Sequence, residues 1–105
     1  MIKDDNLILS IAGHDPTGGA GIQVDAQIAS YHGKHCLSIL TCETIQNLKS
    51  FVKIIPQEEK DIQKSFNNLF KNFSLKYFKI GLVPNVKIAH KSVSYTHLRA
   101  HETYV

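Results

Sequence analysis

The 105-residue sequence has no Trp and only two Cys. So few cysteines exclude a disulfide-built scaffold. No apolar run approaches the roughly 18 residues a membrane span needs. Neither sign of charge dominates, since 12 Lys and Arg against 9 Asp and Glu leave a net +3. That balance can steer an anionic ligand but does not argue for nucleic acid. The opening residues, Met-Ile-Lys-Asp-Asp-Asn, have no charged stretch leading into an apolar one. No secretory signal is therefore expected, and a cytoplasmic location is. What is present is ordinary for a folded chain: 43% of residues are hydrophobic, which excludes disorder and a collagen-like repeat. The length suits one small domain rather than two.

The composition changes along the chain. Of the 12 basic residues, 11 are Lys and the single Arg is Arg99, while all 12 Ile and all six Asn precede residue 93. Val93-Ser94-Tyr95-Thr96-His97-Leu98-Arg99-Ala100-His101-Glu102-Thr103 resembles a one-frame translation of a transposase-type sequencing adapter. Residues 93–105 are accordingly expected to be a non-native tail, and residues 1–92 the native part. His97 and His101 have the i, i+4 spacing of a helical metal pair, but they lie in this tail, so no metal site is expected. Cys36 and Cys42 are about 20 Å apart if extended, beyond disulfide reach, and read as two buried strand thiols. His32 and His35 flank Gly33 in a helix-to-strand turn and read as surface residues.

The apolar pattern alternates strand and helix. Asn6–Ala12 predicts a buried parallel strand, Gly13–Gly21 a loop, and about Ala20–Tyr31 a helix with Ile22, Ala26, Ile28 and Ala29 on its inner side. Gly33 is a natural helix terminator. Cys36–Thr44 and Phe51–Ile55 predict strands. Gln57–Phe73 is the clearest helix, with Ile62, Phe66, Leu69, Phe70 and Phe73 in one stripe. Tyr77–Val83 predicts a further buried strand, and Pro84-Asn85 opens a helix that the tail is expected to cut short. The alternation argues for an α/β fold with a largely parallel sheet.

Chemistry concentrates in Gly13-His14-Asp15-Pro16-Thr17-Gly18-Gly19-Ala20-Gly21-Ile22-Gln23-Val24-Asp25, a glycine-rich link between a strand end and a helix start. Ligands of parallel α/β sheets bind at such strand ends. The loop lacks the Gly-Lys-Ser/Thr of a Walker A motif and the third glycine of a dinucleotide fingerprint, so the glycines alone do not imply phosphate binding. A purely structural turn remains an alternative on these residues alone.

Ile11-Ala12 followed by this motif resembles the N-terminal signature of the hydroxymethylpyrimidine/phosphomethylpyrimidine kinases of thiamine biosynthesis, in the ribokinase-like superfamily. Ser38-Ile39-Leu40-Thr41, leading to Ile45-Gln46-Asn47, resembles the family's second strand and its Gln-Asn pair. Phe78-Lys79-Ile80-Gly81-Leu82 resembles its Lys-Ile-Gly stretch. The resemblance covers residues 6–92. It implies the N-terminal part of a three-layer ribokinase-like α/β fold. The implied activity is ATP-dependent phosphorylation of 4-amino-5-hydroxymethyl-2-methylpyrimidine and its monophosphate. Pyridoxal kinase of the same superfamily and a non-catalytic binding module are the alternatives.

By the resemblance, Gln46 pairs with the aminopyrimidine, for which an amide offers matching donors and an acceptor. Gly13 matches a backbone contact, and Ala20, Thr44 and Leu82 match small or apolar walls. Asp15, Gly18, Gly19, Gly21 and Asp25 belong to the motif loop, with Asp15 expected to stabilise it as an Asx turn rather than to act in catalysis. His14, Gln27, Cys36 and Glu43 depart from the family's commonest residues. The catalytic residues, the anion hole and the site for ATP and Mg2+ are expected outside this chain, which by itself is expected to be inactive and poorly soluble. A homodimeric whole enzyme is also expected.

Overall fold

Strand β1 (Leu7–His14) runs through the middle of the sheet, with Leu7, Leu9 and Ile11 on one face and Ile8, Ser10 and Ala12 on the other. The computed structural model describes residues 4–99 and 102–104. After a short 3-10 turn at Asp4–Asn6, the elements are β1, α1 (Gly21–Tyr31), β2 (His35–Gln46), β3 (Phe51–Pro56), α2 (Glu59–Asn72), β4 (Tyr77–Ile80), α3 (Val86–Arg99) and β5 (Glu102–Tyr104). The sheet order is β3-β2-β1-β4-β5. β1 pairs in parallel with β2 and β4, β4 pairs in parallel with β5, and β2 and β3 form an antiparallel hairpin. The expected α/β class with a largely parallel sheet is what the chain adopts.

The core lies on the α2–α3 side. Leu7, Leu9 and Ile11 of β1 are fully buried and meet Ile39, Phe78 and Ile80 from the flanking strands, with Ile62 and Phe66 of α2 and Ile88 of α3 packed over them. Each such side chain contributes about 1.5–3 kcal/mol when fully buried, so α2 is anchored by its apolar stripe. Its Glu59 and Asp61 at the start and Lys71 at the end suit the helix dipole. Helix α1 differs. Only Ala29 is buried; Ala26 is exposed and Ile28 is 54% exposed, against the expected inner stripe. The sheet face at this helix offers it the polar partners Ser10 and Lys79 beside Ile8 and Cys36.

Several bounds differ from the sequence pattern, for physical reasons. β1 extends past Ala12, since the ladder resumes at His14 after an irregularity at Gly13 that brings His14 opposite Glu43. β2 continues through Ile45 and Gln46 because β3 pairs with it there. β4 stops at Ile80 rather than Val83; the Gly81 N–H still bonds Ile11 O (2.8 Å), but the Leu82 carbonyl is taken by the Thr41 hydroxyl (2.7 Å). Asn85 caps α3 by accepting from the Ile88 N–H (2.9 Å), and the helix runs past residue 93 to Arg99 instead of stopping short. His101 lies outside the described residues. Among the described residues no helix is long and apolar enough to cross a membrane.

Candidate functional site

The loop from β1 to α1 is built by its own sequence. Asp15-Pro16-Thr17-Gly18 is a turn with Pro second, closed by Gly18 N–H donating to Asp15 O at 3.0 Å. The Asp15 carboxylate then accepts from the Thr17 N–H (2.8 Å), the Thr17 hydroxyl (2.7 Å) and the Gly19 N–H (3.2 Å). This is the Asx-type arrangement expected of Asp15. The Thr17 hydroxyl above all, then its N–H and those of Gly19 and Ala20, hold the Asp15 pKa below the usual carboxylate value. A lowered folded-state pKa means that the loop's bonds are complete at neutral pH and are lost as pH falls through it. The Thr17 and Gly19 amide resonances should therefore titrate together, with a midpoint below that of an ordinary aspartate. A midpoint at or above the ordinary value would show that the carboxylate does not hold the loop.

This loop, the end of β2, the start of β3 and the end of β4 enclose a cavity of about 310 Å³, a size that suits a small-molecule cleft. Gly13, Ala20, Thr44, Gln46 and Leu82 all line it, so the structure brings the five residues assigned to substrate contact to one place. Asp15 and Gly21 line it as well. Gly18 and Gly19 sit in the adjoining turn, but Asp25 is not a loop residue: it lies in α1, one turn past its start. There its carboxylate accepts from the Ser10 hydroxyl at 2.6 Å and pairs with the Lys79 ammonium. Helix α1, poor in buried apolar area, is thus tied to β1 and β4 through charge.

Thr44 is more than a wall. Its hydroxyl donates to the His14 carbonyl (2.7 Å) and accepts from Gln46 Nε2 (2.8 Å). This chain of bonds orients the Gln46 amide. Asn47, its neighbour, serves the hairpin instead, accepting from the N–H groups of Lys49 (2.7 Å) and Ser50 (2.9 Å). Four further lining residues were not among the assigned contacts: His14, Phe51, Lys79 and Gly81. The Lys-Ile-Gly stretch carried a signal for Lys79 and Gly81. Nothing local marks Phe51, which reaches the cavity only because β3 folds back on β2.

Cys36 and Cys42 are free thiols, half-buried and buried respectively. Burial raises both pKa values, and the Asp25 charge adds to the effect at Cys36. Neither is primed as a nucleophile. Among the described residues no cluster of three metal-ligating side chains occurs.

Comparison with known proteins matches residues 15–105 to the family model for phosphomethylpyrimidine kinase. A hydroxymethylpyrimidine/phosphomethylpyrimidine kinase of Aquifex aeolicus is 30% identical over 97 residues, 92% of this chain and 37% of the relative. A bifunctional thiamine biosynthesis protein of Methanocaldococcus jannaschii is 36% identical over 77 residues, 73% of this chain and 18% of its own length. The crystal structure of a phosphomethylpyrimidine kinase from Clostridium difficile superposes with a TM-score of 0.82 at 32% identity, over 89% of this chain and 40% of that one. A Bacillus subtilis pyridoxal kinase in its ADP complex shares the fold, with a TM-score of 0.84 at 22% identity over 93% of this chain and 38% of that one. The chain thus spans well under half the length of these relatives. The three sequence motifs, the cavity they form and the match from Asp15 onward agree, and the chain belongs to the phosphomethylpyrimidine kinase family.

Proposed function

We propose that this chain forms the acceptor-substrate site of an enzyme that phosphorylates 4-amino-5-hydroxymethyl-2-methylpyrimidine and its monophosphate. ATP with Mg2+ is the phosphoryl donor in this reading. Donor binding and the catalytic groups belong to chain beyond these residues. The observation that carries the reading is the Gln46 amide, held by Thr44 at the cavity with Gly13, Ala20 and Leu82 around it. An amide fixed through one N–H keeps its carbonyl oxygen and second N–H for the edge of an aminopyrimidine. The names of the relatives support the same substrate class. We also propose residues 1–92 as the native part of the kinase domain and residues 93–105 as a non-native tail, on the compositional break at residue 93.

Calorimetric titration of the chain with the hydroxymethyl aminopyrimidine tests the site. Binding should weaken about tenfold in Gln46→Leu, the loss of one or two hydrogen bonds of about 1 kcal/mol each. Binding of NAD in place of the pyrimidine, or pyrimidine binding indifferent to Gln46→Leu, would overturn the reading.

A further inference from the structure

The polar side chains of the cavity are not equally available to a ligand. Asp15 is turned into its own loop, Lys79 is paired with Asp25, and the Thr44 proton is given to the His14 carbonyl. Gln46 keeps Oε1, His14 keeps Nε2, and the Lys79 ammonium keeps N–H donors beyond its pair with Asp25. The His14 imidazole is held from behind, with Nδ1 2.7 Å from Glu43 Oε2 on the neighbouring strand. His14 lines the cavity, and the side chains of the pair are 41% and 45% exposed. With Nδ1 engaged by the carboxylate, Nε2 is the ring nitrogen left for a ligand. A strand-to-strand contact of this kind also fixes the plane of the ring. The irregular register after Ala12 sets the two residues opposite each other.

We propose that His14 is a second substrate contact of this site, recognising the ligand's hydroxymethyl oxygen through Nε2, and that Glu43 is the residue that positions it. The proposal rests on the aminopyrimidine reading and adds its second anchor point. A hydroxyl both donates and accepts, so it can pair with Nε2. Gln46 then selects the amino edge of the ring and His14 the alcohol, and an analogue lacking the hydroxyl leaves the imidazole face unpaired.

The test is calorimetric titration of the full chain with two probes, 4-amino-5-hydroxymethyl-2-methylpyrimidine and 4-amino-2,5-dimethylpyrimidine. The unmodified chain should bind the alcohol about tenfold more tightly. His14→Phe should lose that preference by weakening the alcohol alone, and Glu43→Leu should reduce it about threefold. In the unmodified chain, the 15N resonance of His14 Nε2 should shift on addition of the alcohol and not of the dimethyl compound, a readout that needs no variant to fold. Equal weakening of both probes in His14→Phe, or an Nε2 resonance indifferent to the alcohol, overturns the role of His14 and leaves the pyrimidine site standing. Binding of neither probe by the unmodified chain overturns both.

Discussion

Gly21→Ala should destabilise the chain by about 3 kcal/mol and abolish ligand binding at the cavity. Gly21 has φ +75°, and a Cβ placed there would lie 2.3 Å from the Gly13 carbonyl oxygen. The left-handed backbone alone costs an alanine about 1–2 kcal/mol. The overlap adds more, because the atom in the way is backbone in the middle strand and cannot swing aside; forced overpacking costs about 1–3 kcal/mol. Gly33 supplies the control. It has φ +73° with nothing within 4 Å of where a methyl group would stand, and it closes α1 with its N–H on Ser30 O (3.0 Å) while Lys34 N–H reaches Ala29 O (2.8 Å). Gly33→Ala should cost about 1 kcal/mol and leave ligand binding unchanged. Urea unfolding followed by circular dichroism, with a ligand titration on each variant, separates the two. Equal losses in both variants would mean that the approach of α1 to Gly13 is not rigid.

Lys79→Met should cost nearly as much, about 3 kcal/mol. Asp25 is almost wholly enclosed, with 8% side-chain exposure, while Lys79 is 35% exposed. Removing the ammonium strands a carboxylate in a low-dielectric site, for which about 3–5 kcal/mol is usual; the exposure of Lys79 lets water in and favours the lower end. The Ser10 hydroxyl remains but carries no charge. Asp25→Asn combined with Lys79→Met should recover most of the loss, since no unpaired charge is left. Because Asp25 sits one turn into α1, the single variant should also loosen the helix start beside the cavity and weaken ligand binding there. A double variant no more stable than Lys79→Met would show that packing of the lysine stem, rather than charge, sets the cost.

Much of the cavity was legible in residue order. Gly13, Ala20, Thr44, Gln46 and Leu82 come from three separate motifs and converge on one cavity. The Asp15 turn was equally legible, because its partners Thr17 and Gly19 are within four residues. Phe51 and the His14–Glu43 contact were not, since each depends on a pairing between strands. The inner side of α1 was misread for a related reason. Its weak apolar pattern promised burial of Ile28, whereas the sheet face opposite presents Ser10 and Lys79, and the helix is held by Asp25.

Local composition and spacing were enough for the strand and helix order, the loop turn and the Gly33 helix end, because each is written in contacts a few residues long; the family came from the resemblance of three motifs read in order. Tertiary structure alone decided where β1 and β4 end, which face of α1 is bound, how Thr44 aims Gln46 and what stands behind His14. Those follow from register, and register is a property of two strands at once: a shift of one residue in the pairing of β1 with β2 would turn His14 away from Glu43.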